Sequence, residues 1–196
     1  MQLCLIRHGL PVRWVTDDGS AADPPLSARG RSQAAALGRW LGGEPIDALY
    51  ASPLRRARET AQPVAAVHGL DARIEVGVTE FDAAADHYVP LEELKAQDPA
   101  RWKALVSSGF YLEGEAETFR ATVVAALERI IAAHPGARVA VVCHGGVINA
   151  WTSHLLGLER LFLFEPVYTS VSRYLAASSG ERSVLSLNET AHLRGE

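Results

Sequence analysis

A chain of 196 residues, 48% hydrophobic and 21% charged, can build one substantial core and has the make-up of an ordinary globular protein. Its net charge of -4 argues against nonspecific binding to nucleic acid or to a membrane surface. No apolar stretch is long enough to span a membrane and no basic-then-apolar leader opens the chain, so a cytoplasmic protein is expected.

The first predicted element is a strand, Leu3-Cys4-Leu5-Ile6, whose apolar run without alternation reads as buried on both faces of a parallel sheet. It ends abruptly in Arg7-His8-Gly9. Ligands of such sheets bind beyond the carboxyl ends of the strands, and a glycine there lets the backbone turn sharply. Alone, the Arg-His pair is more often a surface turn than a site.

Residues 10–25 read as a loop, punctuated by Asp17-Asp18-Gly19 and Pro24-Pro25. Ser27 is placed to cap a helix that runs to Leu41 and stops at Gly42-Gly43. A second strand over 46–51 leads to a helix expected to take Ser52 as its cap and Pro53 as its first residue. That helix carries Arg55, Arg56 and Arg58, ends near Gly69, and precedes a weaker strand over 73–76. Alternating strands and helices predict a three-layer α/β/α sandwich around a mostly parallel, doubly wound sheet.

Residues 79–114 break the rhythm with two short helical patches, Pro90 and Pro99. The segment holds seven acids against Lys95, Arg101 and Lys103, with an eighth acid, Glu75, just before it. It reads as a lid inserted in a single domain spanning 1–196, not as a second domain. An amphipathic helix over 115–133 follows.

The strand 138–143 repeats the opening arrangement, ending in His144-Gly145-Gly146 before a helix over 147–156. Strands over 170–176 and 183–187 close the sheet. If the two His-Gly strands are neighbours, two imidazoles and Arg7 share one sheet edge with a helix start, which makes an anion site. Level histidines would set Cys143 opposite Arg7 and leave Cys4 on the order of 10 Å away, too far for a disulfide.

Arg7, His8, Arg56, Glu80 and His144 thus stand at strand ends or helix starts. Here the chain resembles the histidine phosphatase superfamily, which includes cofactor-dependent phosphoglycerate mutases. The likeness rests on Leu5-Ile6-Arg7-His8-Gly9, on Ser52-Pro53-Leu54-Arg55-Arg56-Ala57-Arg58-Glu59-Thr60-Ala61, and on Val142-Cys143-His144-Gly145-Gly146. Pro25-Leu26-Ser27-Ala28-Arg29-Gly30 and Leu187-Asn188-Glu189-Thr190-Ala191-His192-Leu193 add to it. The resemblance implies a metal-independent phosphomonoesterase that acts on a small-molecule phosphate ester without a cofactor. His8 would take the phosphoryl group, and Arg7 and Arg56 would hold its oxygens. His144 would stabilise its charge, and Glu80 would serve as acid and then base. An acidic neighbour such as Asp82 or Asp86 could raise the Glu80 pKa.

The chain also departs from the family. Leu10, Pro11 and Trp14 stand where many members carry Glu or Gln, Thr or Ser, and Asn. Arg13 is a candidate replacement donor. Gly145 and Gly146 are candidate substrate contacts, as are His87 and Tyr88 in the lid.

Other readings stay open: a mutase, a phosphate-binding protein without turnover, or a zinc site from His8, His144, His87 and Cys143, for which no ligand spacing speaks. Phe81, Tyr88, Val89, Phe110 and Tyr111, opposite Trp14, suggest an apolar or neutral leaving group, or else simply pack the lid. His68, His134 and His192 read as solvent-facing or capping, Arg29, Arg31 and Arg39 as a solvated helix face, and Trp40 and Trp151 as packing.

Overall fold

A computed structural model describes residues 1–100, 102–103 and 116–194. Its centre is β1 (Gln2–Arg7), in parallel register with β6 (Arg138–Cys143), so that Arg7 lies opposite Cys143 and Cys4 opposite Ala140. Both cysteines are buried and free. On the far side of β6 runs β3 (Ala48–Ala51), then β4 (Ala72–Ile74), both parallel to it. Beyond β1 lie β7 (Val171–Ala176) and β8 (Arg182–Glu189), both antiparallel to their neighbours. The order is β4-β3-β6-β1-β7-β8.

Side chains alternate across this sheet and fill a core on each face. Leu3, Leu5, Val139, Val141 and Cys143 pack toward α4 (Ala116–Ala133) and α5 (Gly145–Leu155). Cys4, Ile6, Ala140 and Val142 pack toward α1 (Ala28–Leu41) and α2 (Arg55–His68). The fold is therefore the expected three-layer sandwich on a mostly parallel sheet. Burying each Leu, Ile or Val stabilises it by about 1.5–3 kcal/mol.

Two helix starts differ in their fidelity to expectation. Ser27 caps α1, accepting from the Gly30 amide at 3.0 Å. Ser52 does not cap α2, which begins at Arg55 with Leu54 as an apolar N-cap. The cap is supplied from the loop instead: Asp23 Oδ1 accepts from the Arg55 amide at 2.8 Å. Ser52 is thereby left to another task, described below.

The segment after β4 holds a 3-10 turn (Val76–Val78), β5 (His87–Tyr88) and α3 (Leu91–Gln97). β5 pairs antiparallel with β2 (Trp14–Val15), a two-residue ladder too short to show in the sequence pattern. Arg101, Phe110, Tyr111, Glu113 and Glu115 lie outside the described residues. No helix among the described residues is long and apolar enough to cross a membrane.

Candidate active site

At the carboxyl ends of β1, β3 and β6 the chain encloses a cavity of about 240 Å³. Arg7, His8, Arg56, Glu80, Tyr88, Gly145 and Gly146 all line it, residues drawn from every part of the sequence. The loop after β1 is pinned tightly. The Gly9 amide donates to Thr60 Oγ1 at 2.9 Å, and Thr60 Oγ1 donates to the Arg56 carbonyl at 2.7 Å. A Cβ on Gly9 would stand 2.7 Å from the Gly30 carbonyl oxygen, so only glycine lets the loop lie this close to α1.

His8 is buried, and its Nδ1 lies 2.8 Å from the Gly9 carbonyl oxygen. A carbonyl only accepts, so Nδ1 carries the proton and the lone pair resides on Nε2. Burial, then the charges of Arg56 and Arg7, hold the imidazole well below its ordinary pKa of 6.5. It is a neutral, nucleophilic ring at physiological pH.

Arg7 and Arg56 are both buried. The Arg7 guanidinium lies 3.8 Å over the Tyr168 ring and donates through Nη1 to the Pro166 carbonyl. Arg56 lies 4.8 Å over the Tyr88 ring, with Nη2 3.7 Å from Asp82 Oδ1. The Nε of each arginine is buried without a hydrogen-bond partner. Buried cations with unspent donors are costly, and an anion in the cavity would satisfy them.

Glu80 faces them. Its Oε2 accepts from the Gly146 amide at 2.9 Å and its Oε1 from the Phe81 amide at 3.1 Å. Desolvation, and then the charge of Asp82, push its pKa up to about 7 despite these two bonds and the pull of Arg56. One amide of the first turn of α5, that of Gly146, is thus engaged by a side chain of the protein, while Gly145 and Gly146 both line the cavity.

His144 is fully buried beside His8, ring centroids 5.1 Å apart, and does not line the cavity. Its Nε2 shares a 2.8 Å hydrogen bond with Ser52 Oγ. Burial and the neighbouring Arg56, His8 and Arg7 hold it well below 6.5 as well, so it is neutral and would stabilise phosphoryl charge only as a donor.

Arg13 and His87 are not brought to the cavity. Arg13 is exposed and pairs with Glu93 at 3.1 Å. His87 points the other way from Tyr88 along β5 and bonds Asp86 Oδ1 at 2.7 Å. His87 and Cys143 therefore do not join His8 and His144 in a ligand set. Trp14 is exposed on β2 and Pro11 bridges to Leu26; neither lines the cavity. Trp151 is core, and Trp40 packs against the core under α1 and α2 while stacking on His192 at 5.1 Å.

One residue that shapes the site had no clear mark in the sequence. Thr169 is a buried β-branched residue at φ 61°, a strained conformation. Its amide lies 3.1 and 3.2 Å from the Arg7 and His8 carbonyl oxygens, fixing the end of β1. Asn149 did leave a signal, as a polar residue inside the apolar run Val147-Ile148-Asn149-Ala150-Trp151. Its Oδ1 accepts from the Leu163 and Phe164 amides at 2.7 and 3.2 Å, and its Nδ2 donates to the Gly145 and Phe164 carbonyls at 2.9 Å each. It ties the strap of residues 160–166 to the start of α5.

The comparisons agree with this geometry. Phosphoserine phosphatase 1 of Hydrogenobacter thermophilus is 29% identical over 98% of this chain and 94% of its own. A probable phosphoglycerate mutase of Salmonella paratyphi A is 27% identical over 81% of this chain and 76% of its own. A mycobacterial glucosyl-3-phosphoglycerate phosphatase solved with VO3 shares the fold, with a TM-score of 0.77 and 23% identity over 96% of this chain and 99% of that one. Residues 3–190 match the family profile, and the chain belongs to the histidine phosphatase superfamily, branch 1.

Proposed function

We propose that this phosphatase hydrolyses small-molecule phosphomonoesters through a phosphoryl group carried on Nε2 of His8. The observation that carries the reading is the hydrogen bond from His8 Nδ1 to the Gly9 carbonyl. It leaves one nucleophilic nitrogen in a cavity between two arginines and opposite a carboxyl with a raised pKa.

In the first step the Nε2 lone pair attacks phosphorus and the bond to the ester oxygen breaks. Glu80, as the acid, gives that oxygen its proton. In the second step the Glu80 carboxylate takes a proton from water, the hydroxide attacks phosphorus, and the P–N bond breaks to restore neutral His8. Arg7 and Arg56 hold the equatorial oxygens throughout, in a setting where few other donors compete. His144 packs against the nucleophile and restricts its rotation, and Ser52 restricts His144. The segment 79–114 acts as the lid: of its described residues, Glu80, Phe81, Asp82, Tyr88, Val89 and Trp102 line the cavity.

Hydrolysis is favoured over mutase chemistry by the charges present. Among the described residues lining the cavity, Arg160 is the sole cation besides Arg7 and Arg56, against Glu80, Asp82 and Glu165. A mutase must retain a bisphosphate, which calls for a second cationic seat. The reading goes with a cytoplasmic setting and no nucleic-acid partner.

Replacing His8 by Ala removes the nucleophile. Turnover of 4-nitrophenyl phosphate is expected to fall to background while the urea unfolding midpoint shows a folded protein. Full activity in a folded variant overturns the mechanism.

A further inference from the structure

We infer that the natural substrate carries an apolar, uncharged leaving group of aryl or branched-alkyl character, seated on Phe81, Phe162 and Phe164. The inference rests on the phosphohistidine reading above and concerns the other end of the same cavity.

The Arg7–His8–Arg56 end is suited to phosphate. Beyond it the wall carries an apolar stretch: Phe81, Val89 and Trp102 come from the lid side, and Phe162, Leu163, Phe164 and Pro166 from the strap. The wall is preformed. Phe81 meets Phe162 edge to face at 5.6 Å and Phe119 at 5.9 Å, the arrangement aromatic pairs prefer. Asn149 holds the strap backbone with three hydrogen bonds and the Gly145 carbonyl with a fourth, all between 2.7 and 3.2 Å. Rings fixed in advance bind an apolar group without an ordering cost.

The charges point the same way. Arg160 and Glu165 stand exposed on the strap and supply one charge of each sign. Asp82 also lines the cavity, with its Oδ1 at 3.7 Å from Arg56. A substrate carboxylate would find one cation there against Asp82 and Glu165, and it would lose its hydration to sit beside phenyl rings. An aryl or branched-alkyl group loses nothing of that kind and buries its surface.

The structure also relocates the apolar surface. The expected partner Trp14 is exposed and off the cavity, whereas the strap, silent in the sequence, contributes Phe162, Leu163, Phe164 and Pro166 to the wall.

The test compares 2-phenylethyl phosphate, phosphoserine and 3-phosphoglycerate on the native protein and on Phe164→Ala and Phe164→Leu. Acid-labile phosphate on His8 is measured with each ester. Native protein should show the highest kcat/KM for the phenylethyl ester. Phe164→Ala should lower its advantage over phosphoglycerate roughly tenfold, mainly through KM, and Phe164→Leu should restore most of it, as befits a change of a few methylenes. If His8 is labelled but a carboxylated ester is preferred, the apolar assignment is wrong and the phosphohistidine stands. If no ester labels His8, both fall.

Discussion

Glu80 and Gly146, 66 residues apart, are joined by a 2.9 Å hydrogen bond from the glycine amide to Oε2. The contact sets the acid over the cavity and leaves no room for a side chain: a Cβ at Gly146 would stand 2.1 Å from Glu80 Oε1 and 2.9 Å from Phe81 Cδ1. Gly146→Ala must therefore displace the carboxyl. Since a placed general acid is worth about 10²–10⁴ in rate, the variant should lose roughly 10- to 100-fold in kcat on alkyl phosphates. The loss should shrink on 4-nitrophenyl phosphate, whose leaving group needs little protonation. Inorganic phosphate should inhibit with nearly its native constant. An equal loss on both esters would mean that the contact does not act through the acid.

Asp82 should control where in the pH scale the acid works. Glu80, with a pKa pushed up to about 7, is protonated below that pH and can donate in the first step. Rapid-quench phosphorylation of His8 by alkyl phosphates should then slow as pH rises past about 7. The Asp82 charge is the second cause of the raised value, after burial, so Asp82→Asn lowers the Glu80 pKa. The alkaline limb should move to lower pH, and an unmoved limb would remove Asp82 from that role.

Stability should also fall as pH drops, for a reason built into the site. His8 and His144 are neutral and buried, with pKa values held well below the ordinary 6.5. Below 6.5 the unfolded chain binds protons that the native state does not, so stability present above that pH is lost on acidification. Each histidine contributes a slope of up to about 1.4 kcal/mol per pH unit. Glu80 works in the opposite sense, because the native state binds its proton from about 7 downward. The decisive quantity is thus the difference in slope. Urea midpoints of His8→Gln and His144→Gln should depend less steeply on pH between about 6.5 and 5 than those of the native protein. Parallel slopes would contradict neutral burial.

The central layer of the fold was open to reading because buried parallel strands are continuous apolar runs, and 3–6 and 138–143 have no alternation to confuse. The same runs end in Arg7-His8 and His144, so the core of the site came with them. What stayed hidden depends on tertiary contact. Ser52 looked like a cap because Ser before Pro usually is, but Asp23 reaches Arg55 from a loop 32 residues away. The strap at 160–166 has no periodicity; its conformation comes from Asn149, which only the packed structure brings alongside. The strain at Thr169 leaves no trace in a sequence at all, since threonine is a poor choice for that backbone. Arg13, just before β2, and His87, on β5, carry the right chemistry away from the cavity, a placement that a two-residue ladder cannot announce.

The most direct measurement is the fate of the phosphoryl group within one turnover. Native protein mixed with a ³²P-labelled phosphomonoester and quenched in base within milliseconds should carry label that survives alkali and is released by acid. Proteolysis should place it on the peptide containing His8, at Nε2. His8→Ala should carry none, and Glu80→Gln should slow formation of the label and retard its loss to water. Turnover of the same ester with no label on His8 at any time, or with label on His144 instead, would contradict the account.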